Sequence, residues 1–580
     1  MTGRDGEHPP IEDHRLLGDG RSSALLRHDG AIDWWCAPQV DDPPLLWQLL
    51  DVDGPSATWV GATAVSRSND VAGPGLRSTV RIDGHDVELL DGLIRGETGS
   101  VLVRLARSAS GPVAIEHHLA LGDIEGPAAA WADDLVAELG GHRVAVAGDG
   151  DSVVDGPTVR TSLHAVPDRW RGLVVAVDVA DPPTLEAAAA EVLAAITSAE
   201  EFADTCTLPQ HHPHLGERAL AVLTACTTVA TGAIVAAPTT SLPEVVGGDR
   251  QFDYRYCWLR DSAQAVGVGS LLGKHEAAAS LLGFLGALGP ARLLESPVFD
   301  VRGGDVPSER ELVGRSGWRG SRPVRLGNGA AGQVQHDVLG LVLESMVAFD
   351  DAGDGLTAAH WSIVRAFAER ALHVPGPTNG IWELRSPAEV LSADIGRWLA
   401  LDRAAELARR HHRVRWAGRI RTWTAAAEAV RARVLGALRD DGSLPQAYGD
   451  DHHDASGLLA VVYGLLDADD PRAARLVDAT IEVLGDGPFL RRYDAGVDDG
   501  FSPGEGAFVP ASWWAVSALA VVGRYREACD RTDAMLALLG PLQPEEVDAR
   551  TGAGLGNVPL VWSHTEAARA MVLLDRHGPA

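Results

Sequence analysis

Lysine is almost absent from this chain. Lys274 is the only lysine among 580 residues, against 80 aspartates and glutamates. His275 follows it instead of Ser or Thr, which excludes the phosphate-binding loop that ends in Gly-Lys-Ser/Thr. A cofactor held as a Schiff base would have to use this one lysine, so we expect no cofactor of the pyridoxal type.

Cysteine is scarce as well, and its spacing is uninformative. The five cysteines are an odd number and contain no Cys-x-x-Cys pair; they are Cys36, Cys206, Cys226, Cys257 and Cys529. Neither a disulfide framework nor a structural zinc site is expected from this pattern. We therefore predict a protein without a metal centre and without an organic cofactor.

The chain also has fewer basic than acidic residues, 50 against 80, and lacks long apolar runs. The formal net charge of -30 repels phosphate backbones and anionic lipid, so neither nucleic acid nor a membrane surface is an expected partner. No uninterrupted apolar run reaches the roughly 18 residues of a membrane span. The N-terminus lacks a basic segment followed by an apolar core, so we expect no secretory signal and a cytoplasmic location.

Short apolar runs alternate with Gly and Asp turns in the first third of the chain. Val101–Leu105 and Leu173–Val177 are typical of strands, and Asp29-Gly30 is typical of a hairpin turn. This texture predicts an antiparallel β-sandwich over residues 1–183.

Beyond this region the spacing of apolar residues becomes typical of helices. An Ala-rich helix over Leu185–Ala203 is expected within a linker that spans residues 184–214. Beyond it we identify roughly a dozen candidate helices, for example Gln333–Phe349 and Ser512–Val522. That number matches six α-hairpins closed into an α/α barrel, which we expect over residues 215–580, with a site on the loops at one end.

One stretch is suited to binding a sugar. Thr231–Glu244 is largely apolar, and Gln251–Asp261 adds aromatic residues and an Arg-Asp pair at the start of a predicted helix. A guanidinium and a carboxylate can bind paired hydroxyls, and Trp258 can offer an apolar face. Taken alone, Arg260-Asp261 is equally typical of an ordinary ion pair at a helix start.

Two further segments each offer a carboxylate to a shared pocket. They are Gly380-Ile-Trp-Glu383 and, further along the chain, Pro544-Glu-Glu-Val-Asp548. An acid on one side of an acetal and a base on the other are the minimum equipment for inverting hydrolysis of a glycosidic bond. The two carboxyl groups would then lie roughly 6.5–9.5 Å apart, with a water between base and sugar.

The chain resembles glycoside hydrolase family 15 along nearly its whole length. The matching segments are Gly18–Arg21, His28–Pro38, Thr231–Asp261, Pro323–Asn328, Gly380–Glu383, Asp454–Ser456, Asp499–Gly500, Glu505–Phe508 and Leu555–Asn557. The resemblance implies an N-terminal β-sandwich, a catalytic six-hairpin α/α barrel and inverting hydrolysis of α-glucosides. Within the family, the bacterial trehalase-like branch is the most similar.

The resemblance also implies roles for the acidic residues. Glu383 matches the general acid, and a carboxyl beside Trp382 in a partly dry pocket should keep its proton. Glu545 matches the general base, and Glu546 is the alternative. Because neighbouring residues of an extended segment point in opposite directions, we expect only one of these two to face the pocket.

Sugar contacts are implied in the same way. The residues expected to contact the substrate are Trp258, Arg260, Asp261, Trp318, Trp382 and Arg492. Arg491 is the alternative to Arg492 if the register differs by one residue. Gln335 and Asp337 belong to the same expected pocket segment as Trp318.

Some positions depart from the family pattern near the expected pocket. Gln251-Phe252 stands where Asn-Trp is usual, and Ala393-Asp394 where Ser-Lys is usual. Both candidate catalytic carboxylates are nevertheless retained, so we predict inverting hydrolysis of an α-glucoside, with trehalose as the preferred substrate. The alternatives are a glucosidase of the glucoamylase or isomaltose type and a non-catalytic sugar sensor.

Overall fold

A β-rich N-terminal region precedes a helical region, in the order that the sequence predicts. The computed structural model describes residues 8–65, 71–373, 376–494, 496–497 and 499–578. The strands of the first region are β1 (His14–Gly18), β2 (Ser23–Arg27), β3 (Ile32–Cys36), β4 (Pro44–Leu46), β5 (Ala57–Trp59), β6 (Thr63–Ala64), β7 (Ala72–Gly73), β8 (Gly75–Ile82), β9 (His85–Arg95), β10 (Ser100–Ser108), β11 (Val113–Ala120), β12 (Val136–Leu139), β13 (His142–Gly148), β14 (Asp151–Asp155), β15 (Thr158–Ala165) and β16 (Arg171–Val177).

These strands form two sheets. One has the order β14-β15-β11-β5-β3-β2-β1-β7, with β4 paired to β3, and the other has the order β12-β13-β16-β10-β9-β8-β6. Among the described residues only β1 and β7 pair in parallel. The remaining pairs of the two sheets are antiparallel.

The two sheets share an apolar core. Leu26 and Trp35 of one sheet belong to the same buried cluster as Leu102 and Val175 of the other. Strand β15 alternates buried and exposed residues, as a strand with one face toward solvent should. Strand β16 is almost entirely buried because the first helix covers its other face, with Val192 in the contact.

Thirteen α-helices lie within the described residues. They are α1 (Leu185–Asp204), α2 (Pro213–Cys226), α3 (Leu259–Leu271), α4 (His275–Glu295), α5 (Asp337–Asp351), α6 (Ala358–Ala371), α7 (Leu391–His411), α8 (Ala417–Leu435), α9 (Leu459–Val462), α10 (Pro471–Leu484), α11 (Val509–Val521), α12 (Tyr525–Leu536) and α13 (Val561–His577). Short strands join them: β17 (Cys257–Trp258), β18 (Val298–Phe299), β19 (Arg310–Leu312), β20 (Val324–Leu326), β21 (Gly485–Asp486), β22 (Phe489–Leu490), β23 (Ala507–Phe508), β24 (Glu546–Val547) and β25 (Gly554–Leu555).

Two helix starts differ from the sequence prediction for local reasons. Helix α5 begins at Asp337, four residues after the predicted start, since Gln333, which follows the 3-10 turn Gly329–Gly332, has an extended backbone with φ of -87° and ψ of 158°. Helix α11 begins three residues before the predicted start. Pro510 occupies its first turn, where proline is tolerated because the missing N–H would have no partner.

Five long helices contact one another in succession. Helix α3 packs on α5, α5 on α7, α11 on α13, and α13 on α3. The 3-10 turn Ala455–Leu458 and helix α9 lie between α7 and α11, contacting α11 together and α7 through the turn. Helices α4, α8, α12 and α2 pack on α3, α7, α11 and α13 respectively.

Burial separates an inner from an outer set of helices. Helix α11 is buried over Val509–Ala520, whereas α12 buries only Ala528, Thr532 and Met535. Those three residues are spaced four and three apart, which places them on one face of α12. The chain returns through an outer helix between inner ones, so the N-termini of the inner helices meet at one end.

Helix α4 is long and apolar enough to cross a membrane by length and composition, and it is the only such helix in the described part of the chain. Its backbone is broken at Gly289, where φ is 72°, and Pro290 follows. The straight segment of residues 275–288 is shorter than the roughly 20 residues that a bilayer span requires. Helix α4 contacts α3 and α6, as a helix packed within the fold does.

The N-terminal region packs on the helical region next to the ends of the inner helices. The indole N–H of Trp34 donates a hydrogen bond of 2.8 Å to the Pro238 carbonyl. The backbone N–H of Gly554, in β25, donates to a carboxylate oxygen of Glu12 at 3.2 Å. The hairpin β24–β25 is therefore supported from both regions of the protein.

Candidate active site

A cleft of about 840 Å³, including its open mouth, lies at the N-terminal ends of the inner helices. Such ends carry partial positive charge and are connected by loops, which is where functional groups collect. The residues that line the cleft are Ala236, Glu244, Arg250, Phe252, Tyr254, Trp258, Arg260, Asp261, Glu309, Asn328, Gly329, Ala330, Gln333, Ile381, Trp382, Glu383, Leu384, Arg385, Arg492, Asp499, Phe501, Phe508, Glu545, Leu560 and Trp562.

Glu383 lies on a tight turn before α7. Its backbone has φ of 58°, a left-handed conformation that is unusual for a residue with a side chain. The turn is held by the Leu384 N–H, which donates to the Asn379 carbonyl at 2.9 Å. Gly380 also has a positive φ of 63°, and a β-carbon there would lie 2.7 Å from Val390. Such conformations cost free energy and persist where the surrounding fold holds them, often at functional sites.

Two donors converge on one oxygen of Glu383. Trp258 donates its indole N–H to Oε1 at 2.9 Å, and Arg260 donates a guanidinium N–H to the same atom at 2.8 Å. The Glu383 side chain is 24% exposed, so it is open to the cleft.

Trp382 does not shield Glu383 in the way that the sequence suggested. It lines the cleft, but its indole N–H donates to Asp454 at 2.8 Å. Its ring packs on Phe508 and Trp514, with centroid distances of 5.4 and 5.7 Å. The immediate partners of Glu383 are instead a cation and an indole N–H, because α3 presents its first turn to the acid.

The Arg260-Asp261 pair opens helix α3 and lines the floor of the cleft. Arg260 donates to Gln335 at 3.0 Å and lies 3.5 Å from Asp337, while its guanidinium lies 4.8 Å from the Trp562 ring centroid. Gln335 and Asp337 therefore support Arg260 from behind. Burial raises the pKa of Asp261 to about 6, against the opposing effect of Arg260.

Glu545 lies on the segment before β24 and is buried. The Tyr254 hydroxyl donates to its Oε1 at 2.7 Å. Burial raises the pKa of Glu545 to about 8; the charge of Glu244 acts in the same direction and that of Arg492 opposes it. The carboxylate also occupies the space beside Gly556, where a β-carbon would lie 2.5 Å from Oε2.

Glu546 points away from the cleft. One of its oxygens accepts a hydrogen bond of 2.8 Å from the Gly506 N–H, and the side chain is fully buried. Burial, with the charge of Glu244, holds its pKa well above the usual range. Of the two adjacent glutamates only Glu545 lines the cleft, as expected for an extended segment.

Arg492 lies at the centre of three carboxylates. A guanidinium nitrogen is 2.6 Å from both Glu244 and Glu505 and 3.2 Å from Glu546. Within the described residues this is the only group of three carboxylates close enough to share a metal ion. Since the guanidinium already supplies the central positive charge, the group does not indicate a metal centre.

A second arginine extends this cluster along the wall of the cleft. Arg250 donates to both oxygens of Asp499, at 2.7 and 2.6 Å, and lies 3.2 Å from Glu505. Arg491 donates to the Val483 carbonyl instead, so Arg492 is the one of these two adjacent arginines that lines the cleft.

Trp318 is not brought to the cleft, which corrects the expected substrate contact. It is 1% exposed, and its indole N–H donates to the Pro9 carbonyl at 3.3 Å. Its ring faces His8 at a centroid distance of 6.3 Å. The tryptophan instead anchors the N-terminal segment against the helical region.

Several lining residues had no role in the sequence analysis. Tyr254 and Glu244 lie inside the segments chosen for sugar binding, so their proximity to the pocket could have been inferred. Arg250 and Trp562 contact groups far away in the chain, and no local pattern marks them. Asp499 lies in a segment that matches the family, but no role had been assigned to it.

Comparison with known proteins identifies the class of this chain as glycoside hydrolase. The family described as glycosyl hydrolases family 15 matches residues 215–536. A protein named trehalase from Mycolicibacterium smegmatis is 32% identical, over 98% of this chain and 92% of its own length. A trehalase from Mycobacterium tuberculosis is 31% identical, over 98% of this chain and 90% of its own length. The chain belongs to glycosyl hydrolases family 15.

A solved structure supports the same fold. A bacterial glucoamylase in complex with acarbose aligns with a TM-score of 0.69 at 12% identity, covering 100% of this chain and 96% of that one. At this level of identity the likeness concerns the fold alone. It matches a protein with a β-sheet region followed by a helical region.

Proposed function

We propose that this enzyme hydrolyses an α-glucosidic bond with inversion, and that trehalose is its preferred substrate. The observation that carries the proposal is the arrangement of two carboxylates from separate loops around one aromatic pair. The Trp258 and Tyr254 rings meet edge to face with centroids 5.5 Å apart. Trp258 donates to Glu383 and Tyr254 donates to Glu545, so each carboxylate is held by one member of the pair.

In this mechanism Glu383 is the general acid. It protonates the glycosidic oxygen as the bond to the departing sugar breaks. Its 24% exposure lets it meet that oxygen, and the donors from Trp258 and Arg260 fix the orientation of the carboxyl group. Fixed orientation is itself a large part of catalysis, since reacting groups must meet at hydrogen-bond distance.

Glu545 is the general base in the same mechanism. It takes a proton from a water molecule, which attacks the anomeric carbon from the face opposite the departing oxygen. Its burial and its hydrogen bond from Tyr254 hold the carboxylate in one position.

The buried end of the cleft would hold the sugar whose anomeric carbon is attacked. Arg260 and Asp261 present a donor and an acceptor there, and Trp562 adds an aromatic surface. Arg492 lies on the neighbouring wall and can donate to a further hydroxyl. Hydroxyl-rich ligands require such paired polar groups beside apolar faces.

We further infer that the helical region is a barrel of six α-hairpins. The succession α3, α5, α7, the Ala455–Leu458 turn with α9, α11 and α13 supports this inference, since α13 contacts α3 again. The outer helices pack on their inner partners as the second members of hairpins would. A closed ring explains why residues from so many loops reach one cleft.

The preference for trehalose rests on relatives that are named trehalase and align over nearly the whole chain. Initial rates of glucose release from trehalose, maltose and isomaltose test it. We expect trehalose to give the highest kcat/KM of the three. A preference for maltose or isomaltose would reassign the enzyme to another α-glucosidase type, and failure to hydrolyse any of them would favour a sugar-binding protein without activity.

A further inference from the structure

The mouth of the cleft contains an arginine that the proposed mechanism does not use. Arg385 follows Glu383 by two residues and lines the cleft. Its side chain is 41% exposed, whereas that of Arg260 on the floor is 6% exposed. The cleft therefore runs from a buried floor at Arg260 to an open mouth at Arg385, with Glu383 between them.

Arg385 is held by groups on both sides of the mouth. On one side its guanidinium lies 3.4 Å from a carboxylate oxygen of Glu309. On the other side it lies over the ring of Phe501, 4.8 Å from the centroid, a distance typical of a cation–π contact. Its Cγ lies 3.4 Å from where a β-carbon on Gly500 would be, so the stem packs closely on the same loop. The side chain therefore spans the mouth between two separate loops.

This arrangement leaves hydrogen-bonding capacity at the mouth of the cleft. A guanidinium has five N–H donors, and the contact to Glu309 at 3.4 Å is at the long end for a hydrogen bond and engages one of them. Stacking on Phe501 fixes the plane of the group without consuming donors. A planar donor fixed beside an aromatic ring suits a sugar hydroxyl next to an apolar sugar face.

The position of Arg385 relative to Glu383 indicates which of the two sugars of the substrate Arg385 would contact. The departing oxygen receives its proton from Glu383, so the sugar attached to that oxygen must lie on the solvent side of the acid. Arg385 lies on that side, because its side chain is 41% exposed, whereas that of Glu383 is 24% exposed.

We propose that Arg385, held by Phe501 and Glu309, is the specificity-determining residue that binds the departing sugar. This inference rests on the proposed hydrolysis of an α-glucoside. It predicts that Arg385 contributes to catalysis only when the leaving group is a sugar.

Two substrates with different leaving groups test the proposal. The leaving group of trehalose is a sugar, whereas the leaving group of α-glucosyl fluoride is fluoride. In Arg385→Ala we expect kcat/KM for trehalose to fall by about tenfold or more, through loss of one charged hydrogen bond. The value for α-glucosyl fluoride should stay within about twofold of the unchanged protein. Phe501→Ala should shift the ratio in the same direction, since the guanidinium loses its support.

A matched control separates this effect from loss of a surface arginine. Arg419 also lies near a glutamate, Glu369, at 3.5 Å and over a ring, that of Trp416, at 5.7 Å, but outside the cleft. Arg419→Ala should leave both values unchanged. An equal loss of kcat/KM on both substrates in Arg385→Ala, or no loss on either, would overturn the role of Arg385 and leave the proposed hydrolysis standing. Failure of the unchanged protein to hydrolyse trehalose would overturn it together with the proposed function.

Discussion

The two carboxylates of the cleft differ in what surrounds them. Glu383 is partly exposed and meets a guanidinium, whereas Glu545 is buried and meets a phenol. The proposed roles place the acid at the more exposed carboxyl and the base at the buried one. Each difference can be tested at one residue.

Glu383→Gln removes the proton donor and keeps the size of the side chain. We expect kcat for trehalose to fall by about 10²–10⁴-fold, the usual contribution of a general acid. Trehalose binding should persist because Arg260 and Asp261 are unchanged, and calorimetric titration measures it. Glu389→Gln, which alters a residue that does not line the cleft, is the matched control. Unaltered turnover in Glu383→Gln would remove Glu383 from the mechanism.

The pH dependence of the reaction reports on Glu545. Burial and the charge of Glu244 raise its pKa to about 8. A general base acts only when ionised, so kcat/KM should rise with pH as the pH passes through the pKa of Glu545. The hydrogen bond from Tyr254 lowers that pKa, so Tyr254→Phe should move the rising limb to higher pH.

A second tyrosine serves as the control for this profile. Tyr448 also donates to a carboxylate, Asp394 at 2.8 Å, but does not line the cleft. Tyr448→Phe should leave the limb where it is. A limb that stays in place in Tyr254→Phe, or moves to lower pH, contradicts the assignment of Glu545 as the base.

The residues that sequence could identify are those with a local signature. Arg260 and Asp261 were predicted as sugar contacts because an Arg-Asp pair at the start of a predicted helix lies within a segment that matches the family. The predicted sugar contact at Trp318 was wrong because Pro9, its hydrogen-bond partner, lies 309 positions earlier in the chain. Arg250 was missed for the same reason, since Asp499 lies 249 positions away. Charge pairs of this kind are set by tertiary packing and leave no periodic pattern.

At the scale of elements, the three short strands β23, β24 and β25 place Glu545. They pair as a small antiparallel sheet, and the Val509 N–H at the start of α11 donates to the Glu545 carbonyl at 3.0 Å. The segment after β25 bends at Gly556, whose φ is 69°. Glu545, the proposed base, is thus fixed by a sheet on one side and a glycine bend on the other.

Gly556→Ala tests this support. A β-carbon there would lie 2.5 Å from the Glu545 carboxylate, so the carboxylate must move. A displacement near 1 Å can lower catalysis by about a hundredfold, which we expect in kcat. The positive φ adds a loss of stability of about 1 kcal/mol, measurable by denaturant unfolding.

Gly523→Ala separates the two effects. Gly523 has φ of 77° and nothing within 4 Å of an added β-carbon, so the variant carries backbone strain only. It should lose stability and keep kcat. Equal kcat in both variants would show that the bend at Gly556 does not position Glu545.

Helix type and order were accessible from sequence, because the apolar period of a helix is a local property. The first and last residues of each helix were harder to predict. Helix α11 starts earlier than predicted because Pro510 fits the first turn, and α5 starts later because the backbone at Gln333 is extended.

At the scale of the whole molecule, the inner helices converge so that distant loops form one cleft. The N-terminal sheets contribute support and no lining residue, since every residue of the cleft lies beyond residue 235. Sequence predicted the order of the two regions from their composition. Which loop residues would meet could be predicted only where the family resemblance supplied the match.

The central claim is that two opposed carboxylates hydrolyse an α-glucosidic bond with inversion. The most direct measurement is proton NMR of the anomeric signals during the first minutes of trehalose hydrolysis, before mutarotation. Inversion predicts one β-glucose from the attacked ring and one α-glucose from the departing ring in each turnover. Release of α-glucose alone would indicate retention and would contradict the roles assigned to Glu383 and Glu545.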